Sequence, residues 1–207
     1  MPVEKKPFIE TARHVLSDEI NSLQRLEVAL DVDFGRACEA VMGCKGRVVF
    51  SGVGHSGHVG NKSAASMSSL CKPAYFLHAG EATHGDLGLV QADDVVILIS
   101  NSGETGEVLQ ILPRLKALGV TTIAIVGMVD STLARSCDIV LPIAAGEEAG
   151  PFKFAGSSSA LNTMALCDAL IMAVAAAQGL TAEVYLQGHP GGAVGKQIKN
   201  QIGGKKE

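Results

Sequence analysis

The sequence predicts an α/β fold, a doubly wound, five-stranded and mostly parallel sheet flanked by helices. Two observations carry this reading. Short apolar runs at residues 46–51, 74–77, 94–99, 120–126 and 138–143 alternate with stretches whose apolar residues have helical spacing. The third run, Asp94-Val95-Val96-Ile97-Leu98-Ile99, shows no polar alternation, as expected of a strand buried on both faces.

Residues 1–45 read as a helical segment of the same domain, which occupies residues 46–207. Ile9, Leu16, Ile20, Leu23, Leu26 and Leu30 recur at helical spacing between charged positions, so one or two amphipathic helices should cover the sheet or meet a partner chain. The first strand, 46–51, runs into Gly52-Val53-Gly54-His55-Ser56-Gly57, which matches G-x-G-x-x-G. A dinucleotide site also needs an acid after the next strand, and here that strand ends in His78. The same glycines can admit a simple phosphate ester, with Ser56 adding a hydroxyl. Residues 79–88 then carry Glu81, His84 and Asp86, a polar density that suggests a site.

After the central strand, a helix is expected to about Leu118, with Pro113 placed to kink it. Pro142 suits an edge position for the last strand, 138–143. The apolar stretch 157–178 is long enough to raise a membrane span, but Asn162, Asp168 and Ser157-Ser158-Ser159 favour a buried core helix. Glycine and proline across 188–196 read as a loop that presents His189, and no second domain is expected after it.

Composition limits the function classes. The 207 residues are 47% hydrophobic and 18% charged, which allows one domain with a full core and argues against disorder. With formal net charge -4 and no basic run longer than a pair, nucleic acid is an unsuitable partner. Cys38, Cys44, Cys71, Cys137 and Cys167 have no C-x-x-C spacing, which fits free thiols in a reducing cytoplasm. Met1 to Lys6 are not followed by the apolar block of a secretory signal, so a cytoplasmic protein is expected.

The densest chemistry lies in Ser100-Asn101-Ser102-Gly103-Glu104-Thr105-Gly106-Glu107, a strand-to-helix turn. Such turns sit at the carboxyl ends of parallel strands, where the next helix offers free N–H groups and its positive dipole end. Ser100, Ser102 and Thr105 around a flexible Gly103 therefore read as a phosphate cradle. The bland alternative is an ordinary helix N-cap.

Together these motifs resemble the sugar isomerase (SIS) domain, and more closely the arabinose-5-phosphate isomerases of the KdsD, KpsF and GutQ group. The matching residues are the turn from Gly52 to Gly60, the loop His78-Ala79-Gly80-Glu81-Ala82-Thr83-His84-Gly85-Asp86-Leu87-Gly88, the cradle, and His189-Pro190-Gly191-Gly192-Ala193-Val194-Gly195. The resemblance implies interconversion of D-ribulose 5-phosphate and D-arabinose 5-phosphate for Kdo biosynthesis, in lipopolysaccharide or capsule, with no cofactor. It also implies a homotetramer whose sites use side chains from more than one subunit. Ser56, Ser100, Asn101, Ser102 and Thr105 then match phosphate ligands, and His84, Glu107 and His189 match polar positions of the active site. His55 stands where the group usually has lysine, and the CBS modules that many members carry are not expected here.

Moving a carbonyl along a phosphosugar needs a base at carbon and a group that moves protons between oxygens, roles suited to carboxylates and histidines. Glu107 is assigned the carbon base, with His189 and His84 handling oxygen protons and ring opening and His55 completing the set. Imidazoles of His55, His84 and His189 could converge on a divalent metal, which is expected to inhibit and is not required. The competing readings are a sugar-phosphate sensor without chemistry, an isomerase of another phosphosugar and, last, a nucleotide-binding dehydrogenase.

Overall fold

A computed structural model describes residues 6–70, 72–188 and 191–203. The elements are α1 (Lys6–Ala29), α2 (Val32–Gly43), β1 (Val48–Gly52), α3 (Gly54–Leu70), β2 (Ala74–His78), α4 (Ala79–Ala82) and β3 (Val95–Ser100), with a 3-10 turn at Asp86–Leu89 before β3. There follow α5 (Gly106–Leu118), β4 (Thr121–Val126), α6 (Thr132–Ser136), β5 (Ile139–Pro142), α7 (Ser158–Ala177), α8 (Ala182–Gly188) and α9 (Gly192–Gly203). The strands pair in the order β2-β1-β3-β4-β5, and all the pairings are parallel.

Side-chain alternation along the strands builds the two faces. Phe50, Ile97, Ile99, Ile123 and Leu141 point to one side and pack with residues of α1, α2, α3 and α7. Val49, Val96, Leu98, Ala124 and Val126 point to the other and pack with α4, α5 and α6. Both faces are covered, which is why the strand sequences lack alternation. Leu26, Ala37 and Val41 put α1 and α2 into the same core as the sheet.

β5 lies at the edge, with Pro142 opposite Val126, where the missing N–H costs least. α5 continues through Pro113 and closes at Gly119, whose φ of 70° and N–H to the Lys116 carbonyl form a left-handed cap. α7 is long and apolar enough to cross a membrane by length and composition, but it packs against α1, α2 and α3.

One expectation is corrected. Residues 192–196 are not loop but the first turns of α9. The Gly-Pro-Gly density marks the break between α8 and α9, and the residues that follow, Ala193 to Ile198, supply enough helix formers to offset the cost of Gly195. His189 and Pro190 lie outside the described residues.

Candidate active site

The strand order reverses direction between β1 and β3, so the segments leaving these two strands turn to opposite faces and open a crevice at their carboxyl ends. A cavity of about 350 Å³ occupies it. Val53, His55, Ser56 and Val59 line it from the β1–α3 turn, and Asn101, Ser102 and Thr105 from the β3–α5 turn. The far wall is Glu148, Phe154, Gly156, Ser159, Ala160 and Thr163, from the loop after β5 and the start of α7.

The glycines of the β1–α3 turn serve packing. A Cβ on Gly57 would sit 3.1 Å from the Gly52 carbonyl oxygen, and one on Gly60 would sit 3.1 Å from the Phe76 ring. They let α3 approach the sheet closely, which brings His55 and Ser56 to the cavity.

In the β3–α5 turn, Gly103 has φ +66°, and a Cβ there would lie 2.0 Å from Ser131 Oγ. Ser100 is 2% exposed and holds the turn rather than lining the cavity. Its hydroxyl accepts from Gly103 N (3.0 Å) and pairs with Thr105 Oγ1 (2.7 Å). Because the Thr105 hydroxyl turns to Ser100, it does not cap α5. The ordinary N-cap reading therefore fails here, and the first-turn N–H groups of α5 remain available to an anion.

The other helix start at the cavity is different. Glu148 reaches across from the β5–α7 loop, and its Oε2 accepts from Ser157 N (2.8 Å), Ser157 Oγ (3.2 Å) and Ser159 N (3.1 Å). Its Oε1 accepts from Ser159 Oγ at 2.5 Å. Burial pushes this carboxyl up, but the hydrogen bonds from Ser159 Oγ, the two backbone N–H groups and Ser157 Oγ outweigh it and hold it below the usual glutamate range. The cavity thus has an ionised carboxylate on one wall and an uncapped helix start on the other. An anion placed here is favoured beside Ser102 and Thr105 and repelled beside Glu148.

The loop that carries Glu148 is held from outside. Ser22 Oγ and Arg25 Nη2 on α1 both donate to the Ala145 carbonyl (2.9 and 2.5 Å), and Gly150 N donates to Asp18 Oδ2 (3.0 Å). Ala144 just before it takes φ 51°, a left-handed conformation that costs a non-glycine residue about 1–3 kcal/mol.

Of the residues singled out from sequence, His55, Ser56, Asn101, Ser102 and Thr105 meet at one cavity. Ser100 stands behind it. Glu107 is exposed in the first turn of α5 and His84 is exposed between α4 and the 3-10 turn, and neither lines the cavity. Among the described residues no group of three His, Cys, Asp or Glu side chains is placed to hold a metal. Glu148 and Ser159 escaped sequence reasoning. The available signal was an acid in a glycine-bounded loop upstream of a serine run, but the carboxylate caps residues 9 and 11 positions away, beyond the reach of a capping-box pattern.

An open parallel sheet with a polar cavity at its switch point defines a ligand-binding protein of the doubly wound α/β class. The SIS domain model matches residues 42–173, and the chain belongs to the SIS domain family. It is 42% identical over 191 residues to the arabinose 5-phosphate isomerase KdsD of Pseudomonas aeruginosa, covering 92% of this chain and 59% of that protein. It is 43% identical over 199 residues to the KdsD of Escherichia coli K12, covering 95% of this chain and 61% of that protein. The chain therefore spans about three fifths of the length of these curated relatives. A solved structure of c3406 from E. coli CFT073 in complex with arabinose 5-phosphate superposes with a TM-score of 0.87 at 36% identity, covering 91% of this chain and all of that one.

Proposed function

We propose that this chain is an aldose–ketose isomerase that interconverts D-ribulose 5-phosphate and D-arabinose 5-phosphate through an enediol, supplying Kdo biosynthesis. The observation that carries the reading is the polarity of the cavity, in which an uncapped α5 start with Ser102 and Thr105 faces the ionised Glu148. The likeness to KdsD proteins supports the choice of substrate.

Phosphate binds Ser56, Asn101, Ser102 and Thr105, while Ser100 holds the turn. The role of carbon base, assigned to Glu107 from sequence, passes to Glu148 because Glu148 lines the cavity. Its carboxylate takes the proton from the hydroxymethyl carbon of the ketose. The C–H electron pair becomes the C=C bond of the enediol and the carbonyl oxygen gains a proton. Return of the carbon proton to the neighbouring carbon, while the hydroxyl on the first carbon gives up its proton to become the aldehyde oxygen, completes the exchange, and His55, His84 and His189 serve the oxygens.

Glu107 and His84 face outward in one chain, and in this proposal they complete sites within a homotetramer. Phe8, Ile9, Leu16 and Ile20, each more than half exposed on α1, support such assembly. The free thiols of Cys38, Cys44, Cys137 and Cys167 support a cytoplasmic setting.

An NMR assay of the purified protein with D-ribulose 5-phosphate and EDTA tests the reading, beside Glu107→Gln and His55→Lys variants. Formation of D-arabinose 5-phosphate is expected. Tight phosphosugar binding without turnover would favour the sensor, a reading motivated by His55 in the lysine position.

A further inference from the structure

We propose that Ser159 is a positioning residue for the isomerisation, orienting Glu148 so that one carboxylate oxygen is held by the start of α7 and the other is offered to the substrate carbon. The inference rests on the reading of Glu148 as the carbon base. A carboxylate oxygen has about two lone-pair directions. Oε2 receives three hydrogen bonds from Ser157 and Ser159 and is saturated. Oε1 receives only the Ser159 hydroxyl, at 2.5 Å, and keeps one direction free.

Ser159 is suited to this task. It is 8% exposed and lines the cavity together with Glu148. Its backbone is held in the helix, where its carbonyl accepts from Thr163 Oγ1 at 2.7 Å. Its single hydroxyl proton goes to Glu148. Ser157 differs, because its hydroxyl also accepts from Ala149 N (2.8 Å) and so ties the loop together. The carboxylate is thus locked against rotation by the N-cap residue and first turn of α7, the preorganisation that a proton transfer at carbon requires.

His55, from α3, is the titratable side chain that shares the cavity with Glu148. From the loop itself, Glu147 pairs with Lys153 at 3.6 Å. From α1, Asp18 and Arg25 reach the loop at Gly150 N and the Ala145 carbonyl.

The test is kcat against pH, with D-ribulose 5-phosphate saturating, for the wild type, Ser159→Ala, Ser159→Thr and Glu148→Gln. Loss of the hydroxyl removes a bond that favours the ionised carboxylate. Glu148 then protonates more easily, and the acidic limb of kcat moves to higher pH. Ser159→Ala is expected to show that shift and a fall in kcat of about tenfold, larger than its change in KM. Ser159→Thr is expected to restore both. An acidic limb unmoved in Ser159→Ala, with Glu148→Gln inactive, overturns the role of Ser159 and leaves Glu148 as base. Wild-type kcat and limb in Glu148→Gln overturn the base assignment itself. Should the alanine variant not fold, Ser159→Cys keeps the shape and weakens the donor; the same shift supports the role and an unmoved limb overturns it.

Discussion

At Gly103 one hydrogen atom decides whether the β3–α5 turn can form. Its φ of +66° and the Ser131 Oγ only 2.0 Å from a would-be Cβ mean that Gly103→Ala must strain the backbone and displace the β4–α6 loop. A loss of about 2–3 kcal/mol is expected, read from urea denaturation. Ser102 and Thr105 act differently, since both line the cavity. Ser102→Ala should raise KM about tenfold with a smaller change in kcat, the loss of one hydrogen bond to a charged group. Thr105→Val should cost more, because it also removes the 2.7 Å partner of Ser100. An unchanged KM in both variants would move the phosphate elsewhere. These local features were legible in sequence, since a serine-rich strand-to-helix turn declares itself in eight residues. What could not be read was the division of labour, in which the buried Ser100 builds the turn and the exposed Ser102 lines the cavity.

At the scale of elements, α7 is both a core helix and one wall of the site. Leu170 is fully buried between its neighbours, and Leu170→Ala should cost about 2–5 kcal/mol in thermal or denaturant unfolding. The capping of α7 by Glu148 gives a second prediction with a definite sign. The folded carboxyl is held below its ordinary value of 4.5, so its stabilisation is fully present above that pH and is lost as pH falls through the lower folded value. The stability gap between the wild type and Glu148→Gln should therefore shrink as the pH of denaturation is lowered below about 4.5, and a constant gap would mean that the ionised carboxylate does not stabilise the start of α7. The five strands and the apolar helix were readable because burial on both faces leaves unbroken β-branched runs and an apolar surface all round. The far wall was not. Glu148 owes its place to Ser22 and Arg25 of α1, more than 100 residues away in the chain, and to serines across a loop. Contacts of that range leave no periodic trace. The tail misled for the opposite reason, since local glycine density outweighed the helical spacing that follows it.

For the whole molecule, the switch point between β1 and β3 sets where the cavity lies, and the exposed apolar residues of α1 are the surface on which the proposed assembly is tested. Replacing Ile9 and Leu16 by aspartate should reduce the mass measured by light scattering and lower kcat, whereas an unchanged mass would remove α1 from the assembly. Turnover of D-ribulose 5-phosphate in D₂O, followed by NMR, tests whether the cavity runs an enediol isomerisation with Glu148 as carbon base. Proton abstraction and return by a carboxylate that exchanges with solvent predicts D-arabinose 5-phosphate carrying deuterium at the second carbon, and no product from Glu148→Gln. Product free of deuterium, or wild-type turnover by Glu148→Gln, would contradict that mechanism.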